Sequence, residues 1–181
     1  MEESNGGVTF SGGEPTTQPE FLLCLLKACQ EEGIHTAVDT CGLASQAIFI
    51  QILPYVDLFL FDLKHHNPET HRKGTGHSNK TILENLILLL QYRKKIRIRI
   101  PVVPGFNYNE SDLKGMIELL KSTKGSFDQI DLLPYHNIAK NKYKRFGFLN
   151  PMEGIASLKK EELFANAEMF EKEGYKVKIG G

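Results

Sequence analysis

Runs rich in Val, Ile, Leu and Phe alternate along this chain with amphipathic stretches, and that alternation restricts the fold more than any other feature. The strand-like runs fall at 8–11, 35–40, 57–63, 96–103, 127–134 and 175–179. Strand, helix, strand, helix implies βαβ units, a parallel sheet and right-handed crossovers. Two α/β architectures satisfy the pattern, a doubly wound open sheet and a TIM-like barrel, complete or partial. The run DLFLFDL at 57–63 is apolar on both faces, which suits a sheet covered on both sides. Helices are expected at 21–32, 45–53, 79–93, 111–122 and 158–172. Thr17, with Glu20 three residues later, reads as a capping box for the first, and Gly33 as its stop. Stripes of Ile82, Leu86, Leu89 and Leu90, of Leu113, Met116, Ile117 and Leu120, and of Leu163, Ala167 and Phe170 mark core-facing sides. With no repeat or break in composition, residues 1–181 read as one domain. The longest stretch without periodicity, 136–154, is basic with interleaved aromatics; it reads equally as a functional loop or a surface excursion.

Twenty-two basic residues balance twenty-two acidic ones. Zero net charge argues against a broad nucleic-acid surface. No apolar run approaches the ~20 residues that span a bilayer, and the acidic, polar start MEESNGG is unlike a signal or transit peptide, so the cytoplasm is the expected location. The three cysteines do not suggest a disulfide framework. Cys24 and Cys29 point roughly 140° apart on a helix, and all three, Cys41 included, read as buried or half-buried free thiols.

Polar residues gather at the C-terminal ends of successive strands: Ser11-Gly12-Gly13-Glu14-Pro15, Asp39-Thr40-Cys41-Gly42, Asp62-Leu63-Lys64-His65-His66, Arg99 with Pro104-Gly105, and Pro134-Tyr135-His136. In a parallel sheet these ends share one rim, where barrels and open sheets place their ligands. Each residue also has an ordinary reading. Gly12-Gly13 permits positive φ or a close ligand, or simply a tight turn. Asp39 and Asp62 are ligand groups or helix caps. Lys64, two residues past Asp62, shares its side of the chain and either joins it on a ligand or pairs with it. Arg99 either points inward to an anionic partner or outward with Lys94, Lys95 and Arg97. Because Arg97 and Arg99 alternate with Ile96, Ile98 and Ile100, one face of that strand is charged, as befits a polar barrel interior. His65, His66, His71 and His77 read as loop and helix residues.

Taken together, GGVTFSGGEP at 6–15, DTCG at 39–42, FDLKHHNPETH at 61–71, RIPVVPG at 99–105 and LLPYH at 132–136 resemble the glycyl-radical-enzyme activating enzymes, in particular the pyruvate formate-lyase activating type, of the radical S-adenosylmethionine (SAM) superfamily. The resemblance implies a partial (β/α) barrel with an open side. It implies SAM and a [4Fe–4S] cluster as cofactors, a glycyl radical enzyme as protein substrate, and a flavodoxin or ferredoxin-like electron donor. By resemblance Gly12, Gly13 and Glu14 receive the SAM ammonium, Lys64 and Arg99 hold its carboxylate, Asp39 and Asp62 line the site, and His136 lies by the nucleoside. Asp39, Thr40 and Asp62 are similar to a monovalent-cation site. The family's C-x3-C-x2-C, upstream of Gly-Gly-Glu, has no counterpart here, because Cys24, Cys29 and Cys41 differ in spacing and place. The expectation is therefore a fragment lacking the first strand and helix, without the cluster and inactive by itself. Two alternatives stand beside it: a module that binds SAM or the partner without chemistry, and a barrel lyase using Lys64 as a Schiff-base amine.

Overall fold

A computed structural model describes residues 6–137 and 152–180. In chain order the elements are β1 (Gly7–Phe10), α1 (Pro19–Glu31), β2 (His35–Thr40), α2 (Gln46–Ile52), β3 (Leu58–Asp62), α3 (Pro68–Thr75), α4 (Lys80–Gln91), β4 (Lys95–Val102), α5 (Glu110–Ser122), β5 (Gln129–Pro134), α6 (Phe164–Glu171) and β6 (Val177–Ile179). The strands form one sheet in the order β1-β2-β3-β4-β5-β6, every neighbouring pair parallel. That order decides between the two architectures. A doubly wound sheet reverses strand order at a switch point. Here the order only advances, so right-handed crossovers carry every helix to the same face and the sheet curls as a partial barrel.

Strand β4 shows how side chains divide between the two faces. Ile96, Ile98, Ile100 and Val102 are fully buried beneath helices, while Arg97, Arg99 and Pro101 alternate with them on the half-buried inner face. Burying each of those aliphatic side chains contributes about 1.5–3 kcal/mol. Strand β3 behaves alike: Phe59 and Phe61 are buried, and Leu58, Leu60 and Asp62 are half-buried. The sheet is thus not covered equally on both sides, contrary to the expectation from DLFLFDL. Curvature leaves the inner face partly open, and its two leucines are tolerated there at half burial.

The expected helix stripes pack on the outer face: Ile82, Leu86 and Leu89 of α4, Leu113, Met116, Ile117 and Leu120 of α5, and Leu163, Ala167 and Phe170 at α6 are all buried. Three local details differ from expectation. Thr17 does not cap α1; it lies in a 3-10 turn over Pro15–Thr17, and its hydroxyl donates to the Glu14 carbonyl at 2.6 Å. Pro19 at the first helical turn sets the start of α1 instead. The last helix begins as a 3-10 turn over Lys160–Leu163 before α6. Helix α3 was not foreseen, although its signals are present: Asn67 accepts from the Glu69 and Thr70 amides, Pro68 follows, and Gly76 closes it at φ +86°. Of the basic stretch at 136–154, residues 138–151 lie outside the described residues.

Candidate functional site

Parallel register brings the ends of β1 to β4 to one rim, where Asp62 of β3 stands beside Arg99 of β4. A cavity of about 320 Å³ opens there, lined by Gly12, Gly13, Glu14, Asp39, Cys41, Asp62, Lys64 and Arg99. All the cofactor-binding residues expected from sequence line it except His136, which stands exposed just beyond β5. Cys41, read from sequence as a free thiol at that strand end, lines it as well.

Arg99 lies inward and is held by two carboxylates. Its Nε donates to Asp62 Oδ1 at 2.9 Å, and its Nη2 to Asp39 Oδ1 at 2.6 Å and Asp62 Oδ1 at 2.8 Å. Lys64 Nζ donates to Asp62 Oδ2 at 3.1 Å. Burial opposes the charge on Arg99, but the two carboxylates outweigh it and raise its pKa. Burial and the negative charge of Asp62 push the Asp39 carboxyl up, against the pull of Arg99. Of the three residues expected to form a monovalent-cation site, Asp39 and Asp62 meet the guanidinium, and Thr40 turns its hydroxyl to Glu14.

Glu14 ties the turn after β1 to the end of β2. Its Oε1 accepts from the Thr16 amide at 3.2 Å, the Thr16 hydroxyl at 2.7 Å and the Thr40 hydroxyl at 2.7 Å. Its Oε2 accepts from the Cys41 amide at 2.8 Å. Burial raises its pKa, but these donors more than offset that and hold it below the ordinary glutamate value. Burial, and then the thiol's own hydrogen bond to Glu14, push the Cys41 pKa up, which favours the protonated thiol. Gly12, at φ +117°, occupies a conformation that favours glycine, and a Cβ at Gly12 or Gly13 would meet nothing within 4 Å. The turn therefore presents bare backbone to open space.

Buried asparagines, which sequence reading passed over, support the rim. Asn107 Nδ2 donates to the carbonyls of Lys64 at 2.7 Å and Pro101 at 2.8 Å, and its Oδ1 accepts from the Val103 amide at 2.7 Å. Asn79 binds the carbonyls of His65 and His66, and Asn85 those of Gly42 and Ala44. Their signal was an amide placed where a helix or loop otherwise turns apolar residues inward.

His65, His66 and Asp112 bring potential ligand atoms within 4.8 Å of one another. The ring orientation opposes a metal there: His65 Nδ1 accepts from the Asn67 amide at 3.0 Å, which leaves the proton on Nε2, the atom facing Asp112. The three cysteines join no such group among the described residues. Cys24 is exposed, contrary to expectation, because its position on α1 turns away from the buried Leu22 and Leu26; Cys29 and Cys41 are half-buried. A larger cavity, about 600 Å³, lies at the opposite end of β4, lined in part by Arg93, Lys94, Lys95, Lys124 and Phe127. Arg93, Lys94 and Lys124 there follow the C-termini of α4 and α5, where cations complement the helix dipoles.

Residues 2–120 match the model of the radical SAM superfamily. The chain is 44% identical over 164 residues to the choline trimethylamine-lyase activating enzyme of Oleidesulfovibrio alaskensis, covering 90% of this chain and 53% of that one. It is 39% identical over 183 residues to the trans-4-hydroxy-L-proline dehydratase activating enzyme of Clostridioides difficile, covering 99% of this chain and 60% of that one. The chain thus spans little more than half the length of these relatives. The crystal structure of a domain of pyruvate-formate lyase-activating enzyme from Bacteroides vulgatus superposes with a TM-score of 0.81 at 33% identity, covering 97% of this chain and 99% of that domain.

Proposed function

The chain belongs to the radical SAM superfamily, and from that premise we propose that its rim cavity holds the methionyl half of SAM, in a protein that activates a glycyl radical enzyme. The observation that carries this reading is the charge set around bare backbone. Glu14, Asp39 and Asp62 face Lys64 and Arg99, a formal balance of one negative charge. SAM carries an ammonium, a sulfonium and a carboxylate, a balance of one positive charge. Field and ligand are complementary.

The side chains divide the work. Gly12 and Gly13 line the cavity with main chain alone, so their backbone is placed to meet the ammonium. Lys64 Nζ donates to a single side chain among the described residues, Asp62, and keeps donors for the carboxylate. Arg99 commits Nε and Nη2 to Asp39 and Asp62, so its Nη1 is what remains for the ligand. The Asp39–Arg99–Asp62 link fixes three strand ends before the ligand arrives, which lowers the ordering cost of binding. A monovalent cation at Asp39, Thr40 and Asp62 would compete with that guanidinium. His136 is left for the nucleoside half. One-electron cleavage chemistry is what SAM supplies when bound to a reduced cluster. The described cysteines do not fit a [4Fe–4S] cluster, and this chain by itself is proposed to bind without turnover.

Titration calorimetry of the chain with SAM tests the reading, with Lys64→Gln as the comparison. Saturable binding that weakens at least tenfold in the variant is expected. Absence of saturable heat with the unaltered chain overturns the assignment of the cavity. A glycine-loop peptide from a glycyl radical enzyme supplies the second arm: saturable binding supports the partner class, and none removes it.

A further inference from the structure

Resting on that reading, we propose that Glu14 is a clasp and not a ligand, and that Thr40 is the residue that positions it. An ionised carboxylate offers about four lone-pair sites. Four donors already occupy Glu14: the Thr16 amide, the Thr16 hydroxyl, the Thr40 hydroxyl and the Cys41 amide, at 2.7–3.2 Å. The Cys41 thiol adds a further contact. Three of these donors crowd Oε1, and Oε2 holds the Cys41 amide with the Cys41 thiol against the carboxylate, so an arriving ammonium must compete for Glu14 with donors already in place, two of them main-chain groups fixed by the fold.

The clasp does its work through geometry. Thr16 and Thr17 lie in the 3-10 turn that follows Gly12-Gly13, and Thr40 ends β2 with Cys41 just beyond it. By accepting from both sides, Glu14 ties two segments about 26 residues apart along the chain. That tie fixes the path of the two glycines and hence the backbone they turn to the cavity. The Thr40 hydroxyl is the central piece. It donates to Glu14 Oε1 at 2.7 Å and accepts from the Gly42 amide at 3.0 Å, so it orients the carboxylate and the start of the β2–α2 loop together. Thr40 is 1% exposed, so no solvent replaces the bond when the hydroxyl is removed. Threonine here thus acts on the ammonium end of SAM without touching it.

The experiment compares SAM with 5′-methylthioadenosine, which keeps the nucleoside and sulfur but lacks the ammonium and carboxylate. Affinities of both are measured for the unaltered chain, Thr40→Val and Thr40→Ser. Thr40→Val is expected to weaken SAM roughly ten- to hundredfold, the conversion of one charge-assisted hydrogen bond, while leaving methylthioadenosine within twofold. Thr40→Ser, which keeps the hydroxyl, restores SAM affinity. Unchanged or tighter SAM binding by Thr40→Val overturns the proposal, because a lone pair freed on a ligand carboxylate would help the ammonium. Equal loss for both ligands also overturns it, since that marks a general structural role. Should Thr40→Val not fold, the amide resonances of Thr16 and Cys41 in the unaltered chain decide. The clasp keeps both in place on adding SAM, whereas a ligand role shifts them. If the unaltered chain binds neither compound, the cavity assignment fails first, and that result is distinct from each of these.

Discussion

Replacing Arg99 with Met, close in length but uncharged, removes three hydrogen bonds and leaves Asp39 and Asp62 facing each other. Both carboxylates lie within 2.8 Å of the same Arg99 nitrogen, so they remain close neighbours once it is gone. At an effective dielectric near 20, two such charges repel by about 3 kcal/mol. Breaking a fully buried pair costs about 3–5 kcal/mol. These side chains retain 16–23% exposure. Water therefore screens part of the cost, and a loss of roughly 2–3 kcal/mol near neutral pH is the expected outcome. The sign with pH is the sharper test. Asp39 already has a raised folded pKa, from burial first and then from Asp62. A raised carboxyl contributes stability that is complete below its unfolded pKa and is lost as pH rises through its folded pKa. Without Arg99 the folded pKa of Asp39 climbs further, so protonation relieves the repulsion on acidification. Urea unfolding of both proteins from pH 7 down to pH 4 should show the deficit of Arg99→Met shrinking as pH falls. Adding Asp39→Asn to Arg99→Met should recover much of the loss at pH 7. A deficit that is independent of pH, or a double variant no better than the single, refutes an electrostatic origin.

Three further outcomes follow from contacts around the rim. Asn107→Ala strands the Lys64 and Pro101 carbonyls and the Val103 amide, so chemical denaturation should register a loss of about 3 kcal/mol, accompanied by weaker SAM binding as the Lys64 loop slackens. Gly42 sits at φ +74°, and a Cβ there would come within 2.3 Å of the Phe61 ring; Gly42→Ala should cost about 2–3 kcal/mol, and Phe61→Leu in the same chain should return part of the thermal midpoint. Burial holds the His65 imidazole below its ordinary pKa despite the pull of Asp112 and with help from His66. Its contribution to stability is therefore present above the ordinary imidazole range and is lost as pH falls through the folded value; His65→Gln should flatten the acid limb of the stability profile below about pH 6.5.

What the sequence made legible was whatever depends on period and order. Ile96, Ile98 and Ile100 against Arg97 and Arg99 already declare one apolar and one charged face, and the structure keeps that division. Polar residues at successive strand ends declare a shared rim, because parallel strands leave them no other place. What stayed hidden depends on how charges and amides pair across long separations in the chain. Asp39, Asp62 and Arg99 were each visible as candidates, but that the arginine would be held by the other two needed the register of β2, β3 and β4. Thr17 looked like a cap because the spacing to Glu20 fits, yet Glu14 and Pro19 took over the turn locally. DLFLFDL looked like a strand buried on both sides because hydropathy cannot report curvature. His136 follows β5 as expected, but a rim position does not by itself bring a side chain into the cavity.

The division between Glu14 and Gly12-Gly13 follows from the same logic. A carboxylate next to two glycines invites the view that all three meet the ligand together. Counting donors separates them: Glu14 is engaged by four donors from the fold, while the glycines are open to space. A buried charge must be satisfied whether or not a ligand is bound, so the fold supplies partners that are always present. A receiving surface must instead stay free between visits, and main chain without side chains provides that. In the proposed complex the charge of Glu14 would still act on the ammonium through space, since the donors hold its pKa below the ordinary range. On the proposed reading Glu14 thus adds to the negative field of Asp39 and Asp62 and fixes the turn, while Gly12 and Gly13 offer the backbone for the ammonium.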